Sequence, residues 1–192
     1  MAGRQAKILT KTQERVLLRK AAEGRYPERD RVMVLLSVKA GLRAGEIAKL
    51  TWPMVLDPQG RISARIELHD KAAKKGSGRT IPMHPDIRAA LVKLRRLEGD
   101  DGPAVIRSER GHAMLPGSVV NWFASAYRDL GFSGCSSHSG RRTFITSAAK
   151  LISKAGGSLR DVQQLAGHRS IDQTQAYIEG DTQAKRRLIA ML

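Results

Sequence analysis

At 192 residues and 21.1 kDa the chain has room for one ordinary domain or two small ones, and 41% hydrophobic residues suffice to bury a core, which argues against disorder throughout. Lys and Arg number 34 against 18 Asp and Glu, a formal charge of +16 with a sequence pI near 10.8, so the first expected partner is a polyanion such as nucleic acid. The single cysteine, Cys135, excludes an intramolecular disulfide and a cysteine-built zinc site, and no run approaches the roughly 18 apolar residues of a membrane span.

The N-terminal MAGRQAKILT is basic without the apolar stretch of a signal peptide, which leads to an expected reducing, cytoplasmic and DNA-associated location. Residues 1–96 hold 22 Lys/Arg against 9 Asp/Glu, and residues 97–192 hold 12 against 9, so the basic surface is expected mainly from the first half.

In chain order, Thr10-Lys-Thr-Gln13 has capping-box spacing ahead of Val16, Leu17, Leu18 and Ala21, a helix that stops at Gly24. Pro27 opens a second helix whose apolar face, Val32 to Ala40, ends at Gly41, and Ala44 to Leu50 makes a short third before Trp52-Pro53. From Arg61 to Leu68, Ile62, Ala64, Ile66 and Leu68 alternate with polar residues, a half-buried strand with Arg79-Thr80-Ile81 as its expected partner. The intervening 69–78 segment is polar, basic and glycine-rich, which predicts a β-hairpin loop. Helical spacing resumes over Pro85–Leu97, Ser118–Leu130, His138 to about Leu151, Leu159–Ala166 and Thr182–Leu192. The expected class is mainly α with a small antiparallel β-sheet, folded as a single domain over residues 1–192.

H-E-x-x-H, C-x-x-C, the P-loop, G-x-G-x-x-G and G-x-S-x-G are all absent, so metallopeptidase, nucleotide and serine-hydrolase readings lose their anchors. What remains is basic residues beside turns and one late tyrosine. His138-Ser-Gly-Arg141 sets an imidazole and a guanidinium on one face of a helix start, and Gly41-Leu-Arg43-Ala-Gly-Glu46 puts an arginine at a helix junction with an acid three residues on. Leu165-Ala-Gly-His168 is followed nine residues later by Tyr177. Taken singly these have plain readings: Arg43 a surface arginine, Glu46 a buried partner that orients an arginine, His168 a capping residue, Tyr177 an amphipathic tyrosine, Lys74 and Lys75 solvated charges.

Taken together, in this order, the boxes resemble the catalytic domain of the tyrosine recombinases, or phage integrases. Ala40 to Leu50 is similar to the family's first arginine box, His138-Ser-Gly-Arg141 to its H-x-x-R box, and Leu165 to His168 with Tyr177 to its closing box. Lys74-Lys-Gly-Ser-Gly-Arg79-Thr-Ile-Pro82 resembles the lysine hairpin, in which the lysine stands eight residues before the proline, at Lys74; Lys71 and Lys75 share the loop. The resemblance implies the recombinase fold and a site-specific recombinase that breaks and rejoins double-stranded DNA through a 3′-phosphotyrosine. Its implied catalytic set is Arg43, Lys74, His138, Arg141, His168 and Tyr177, with no metal, nucleotide or other cofactor, no membrane partner, and a homo-tetramer as the working assembly on DNA.

These residue types suit that reaction. Arginine forks stay charged and can clamp a phosphate whose negative charge grows in the phosphorane, imidazoles can donate to it or take the phenolic proton, and a lysine can protonate the leaving 5′-oxygen. Relaxation of supercoiled DNA by the same chemistry, and non-catalytic DNA binding, stand as alternatives. Two departures from the family pattern are Ser139-Gly140 where Asp-Leu is commoner and a longer Ser153–Ser158 stretch, read as a loop insertion. About ten residues precede the first helix, where most members carry a separate DNA-clamping domain, so the expectation is a minimal recombinase or an excised fragment.

Overall fold

The computed structural model describes residues 6–70, 72, 78–99, 102–177 and 189–190. Helix α1, Lys11–Ala22, begins at the expected box: Thr10 Oγ1 accepts from the Gln13 amide at 3.1 Å and Gln13 Oε1 accepts from the Thr10 amide at 2.9 Å. Helix α2 runs Pro27–Ala40, α3 Ala44–Ala48, α4 Pro85–Glu98, α5 Pro116–Asp129, α6 Ser139–Leu151, α7 Leu159–Ala166 and α8 Ile171–Gln175. Every residue from Val32 to Leu36 is fully buried, so the middle of α2 is apolar on all sides and has to sit centrally; α1, α4 and α6 pack around α2, and α3 packs on α5.

Strands β1, Arg65–Leu68, and β2, Arg79–Pro82, form one antiparallel pair with Ile66 opposite Ile81 and Leu68 opposite Arg79. The first strand is shorter than the expected Arg61–Leu68. A turn intervenes, in which Asp57 accepts from the Arg61 amide at 2.8 Å, Ile62 bridges Leu56 and the Ser63 amide donates to Val55, so residues 61–63 pair backwards rather than with β2. Helix α3 stops two residues short of Leu50, α5 starts two residues before Ser118 because Pro116 supplies its first turn, and the five-residue α8 is too short for periodicity to reveal. Apart from residues 189–190, the expected Thr182–Leu192 helix lies outside the described residues.

The described part is mainly α with one small antiparallel sheet, as expected. Among the described residues no helix is long and apolar enough to cross a membrane. Beside the main core stands a small second cluster of Ile145, Val162 and Ala166, against which Phe144, Leu159 and Tyr177 pack. This cluster joins α6 to α7 and holds the segment leading to Tyr177, apart from the α1–α5 core.

Candidate active site

A cleft of about 630 Å³ opens where the N-terminal end of α6 meets the α2–α3 junction and the turn after α7. Arg43, His138, Arg141, His168 and Tyr177 all line it, from segments separated by up to 134 positions in the chain.

Arg141, in the first turn of α6, is only 3% exposed. Two of its five N–H donors are spent on backbone: Nη1 donates to the Gly41 carbonyl at 2.6 Å and Nη2 to the Ala166 carbonyl at 2.7 Å. Those carbonyls end α2 and α7, so a buried cation is held against the negative ends of two helix dipoles. Burial above all, and then the neighbouring Arg43, lower its pKa to about 10, which leaves it cationic at neutral pH.

Arg43 is the residue just before α3, half-buried at the cleft wall. Glu46, in the first turn of α3 and 1% exposed, reaches back to it twice: Oε2 accepts from the Arg43 amide at 2.9 Å and Oε1 from Nη1 at 2.8 Å. The same carboxylate takes a bidentate pair from Arg79 on β2, with both N–O distances 3.0 Å. Burial opposes ionisation of Glu46, but the Arg79 fork and then Arg43 outweigh it and hold its pKa down to about 2. One carboxylate therefore serves Arg43 and Arg79, with the Arg141 guanidinium close enough to feel its charge, and the cluster keeps an excess of positive charge for an anion in the cleft.

His168 follows Gly167, the left-handed residue that closes α7. Its backbone is clamped by Gln163: the His168 amide donates to the Gln163 carbonyl at 3.1 Å, and Gln163 Nε2 donates to the His168 carbonyl at 3.0 Å. Nδ1 lies 2.9 Å from the buried Thr174 Oγ1. Burial, followed by Arg141, Arg43 and Arg79, pushes the imidazole down to about 4, so it is neutral at pH 7. Tyr177, half-buried, stacks on this ring at 5.5 Å between centroids, and its carbonyl accepts from Thr146 of α6 at 3.3 Å. His138 is exposed at the cap of α6, its amide donating to Ser136 Oγ at 3.3 Å, and it shares the cleft wall with Arg141 one turn on.

Residues 7–184 match the model of the Phage integrase family, nearly the whole chain. The chain belongs to that family. It is 29% identical over 159 residues to the tyrosine recombinase XerC of Pseudomonas fluorescens (strain Pf-5), a match that takes in 81% of this chain and 49% of the recombinase. This phage integrase family chain thus spans about half the length of the recombinases it matches. The crystal structure of XerA recombinase superposes with a TM-score of 0.74 at 21% identity, covering 100% of this chain and 65% of XerA. The Tn1549 transposon integrase bound to a circular intermediate DNA gives 0.75 at 20%, covering 100% and 67%. These two likenesses establish the recombinase catalytic-domain fold.

The family departure at Ser139-Gly140 has a packing reason. Ser139 is fully buried, and its Oγ accepts from the Ser136 amide at 3.0 Å, which fixes the turn that delivers His138. A Cβ on Gly140 would lie 2.2 Å from Ser37 Oγ, so α6 approaches α2 more closely than a leucine at that position would allow. The longer Ser153–Ser158 stretch folds as a 3₁₀ turn, Ile152–Ala155, before Ser158 caps α7 through Asp161. Lys74, with Lys71 and Lys75, lies outside the described residues.

Five of the six expected site residues are therefore brought to one cleft. The expectation for Glu46, a buried orienter of an arginine, matches its contacts. Sequence reasoning missed Arg79 as part of this network. The signal was present in the strand parity, since Arg79 shares the inward face of β2 with Ile81, and an inward arginine requires a buried acid. Ser136 and Gln173, which also line the cleft, carry no pattern that sequence alone would single out.

Proposed function

We propose that this chain is the strand-cleaving and rejoining unit of a site-specific DNA recombinase that works through a covalent 3′-phosphotyrosine, with double-stranded DNA as substrate and a homo-tetramer on DNA as the working assembly. The observation that carries the reading is the convergence of Arg43, Arg141, His138, His168 and Tyr177 on one electropositive cleft. In this reading Arg43 and Arg141 hold the non-bridging oxygens of the scissile phosphate, where negative charge grows in the transition state. Both guanidiniums are pre-oriented, by Glu46 and by the Gly41 and Ala166 carbonyls, so little reorganisation accompanies reaction.

Tyr177 Oη attacks phosphorus, the Oη–P bond forms, and the P–O5′ bond breaks. The phenolic proton passes to the cleft, where His168, neutral at pH 7 and engaged with Thr174 through Nδ1, has Nε2 left for exchange with the reacting groups. His138 donates to a phosphate oxygen, and Lys74 gives a proton to the departing 5′-oxygen, which leaves as a hydroxyl. The aryl phosphate conserves the bond energy, so reversal by a 5′-hydroxyl of another strand completes recombination. The Tn1549 integrase, whose fold this chain shares, is a DNA complex, which supports DNA as the ligand of the equivalent face.

The test is single-turnover incubation with a nicked suicide duplex in the absence of divalent metal, followed by denaturing electrophoresis. The wild-type chain should form a protein–DNA adduct and Tyr177→Phe none; an adduct that survives in Tyr177→Phe, or none in either, contradicts the proposal.

A further inference from the structure

Arg79 is not among the residues lining the cleft, yet its side chain makes two bonds to the carboxylate that orients Arg43, where the Arg43 side chain itself makes one. Its Nη1 and Nη2 each lie 3.0 Å from one Glu46 oxygen, and its Nε donates to the Leu165 carbonyl at 2.8 Å. The side chain is 6% exposed, so these three bonds are made inside the protein. The turn that presents His168 closes directly over it: a Cβ on Gly167, at φ +63°, would stand 2.9 Å from Arg79 Nη1 and 3.0 Å from its Cδ. The hairpin fixes the starting point, since Arg79 pairs with Leu68 across the sheet and shares its face with the buried Ile81.

One planar group thus bonds the arginine-box acid and the carbonyl three residues before His168 at the same time. We propose that Arg79 is a positioning residue: its guanidinium sets Glu46, and through it Arg43, against the Leu165–Gly167 turn that carries His168, so that both groups meet the same phosphate. This rests on the reading of the cleft as a phosphodiester-cleaving site. A lysine could keep the charge beside Glu46 but offers neither the parallel pair nor the third in-plane donor. The effect on chemistry follows from geometry, because displacing a clamping group by about 1 Å costs on the order of 10²-fold in rate.

The experiment uses the full chain with Arg79→Lys and Arg79→Ala, and two suicide duplexes. One carries the ordinary scissile phosphodiester and the other a methylphosphonate there, which removes the charge that Arg43 would neutralise. Adduct formation by both variants should fall about 10–100-fold on the phosphodiester with DNA affinity unchanged, and the deficit should shrink on the methylphosphonate, since a misaligned Arg43 matters less there. If Arg79→Ala does not fold, Arg79→Lys decides alone. An undiminished rate in Arg79→Lys, or an equal deficit on both duplexes, overturns the proposal while leaving the cleft's activity intact. No adduct from the wild type on either duplex overturns the phosphodiester reading and this proposal with it.

Discussion

Replacing Glu46 with glutamine keeps the shape of the side chain and removes its charge from beneath two arginines. Glu46 is 1% exposed and the Arg79 side chain 6%, so the variant leaves a buried guanidinium without its counter-charge. Holding this carboxyl at about 2 rather than its ordinary 4.5 corresponds to about 3 kcal/mol of native-state stability. That agrees with the roughly 3–5 kcal/mol lost when one partner of a buried pair is removed. In a domain of this size each kcal/mol moves the melting point by roughly 2–4 °C, so Glu46→Gln should melt about 6–12 °C below wild type at neutral pH. The sign of the pH dependence follows from the depressed value: the contribution is complete above 4.5 and is lost as pH falls towards about 2. Urea unfolding of both proteins should show the gap full at pH 7 and reduced by about 2 kcal/mol at pH 3. A gap below about 1 kcal/mol at pH 7, or one of equal size at both pH values, would refute an ionised Glu46 shared between Arg43 and Arg79.

Other consequences are open to direct measurement. The ring nitrogens of His168, followed by NMR, should remain those of a neutral imidazole down to pH 5.5, because burial and then the three arginines push its pKa to about 4; a midpoint at 6.5 or above contradicts that field. Arg141→Ala should retain DNA binding but lose about 10²-fold or more in adduct formation, and a smaller loss would remove Arg141 from the phosphate clamp. Gly140→Ala should cost about 1–3 kcal/mol in thermal unfolding through its clash with Ser37. Among the described residues Ser37 Oγ is buried without a hydrogen-bond partner, so Ser37→Ala should be neutral or stabilising and should soften the Gly140→Ala loss; strictly additive effects would show that the two residues do not meet.

How far the sequence reached depended on the range of the interactions. The Thr10 capping box, the proline starts and the apolar alternation at Ile66 and Leu68 are local patterns, and the elements they specify are present. The 61–63 stretch carries the same alternation but pairs with residues 55–57, because a turn at Asp57 offers the Arg61 amide a nearer partner. In the site, Arg43, Arg141, His168 and Tyr177 stand out because their spacing matches a family pattern. Arg79 does not, because its role exists only once β2, α3 and α7 have met: its partners Glu46 and Leu165 lie 33 and 86 residues away. The neutrality of His168 is equally a product of assembly, since it comes from burial and from cations brought in by α6, β2 and the α2–α3 junction.

The central claim is that a phenol and separated cations act together on one phosphorus atom. It is tested most directly by trapping the chain on a suicide duplex, digesting the DNA to a nucleotide remnant and locating that remnant by peptide mass. The account predicts a 3′-linked nucleotide on the peptide containing Tyr177 and on no other. A remnant on Tyr26 or Tyr127, or a released 3′-phosphate with no protein attached, would contradict it.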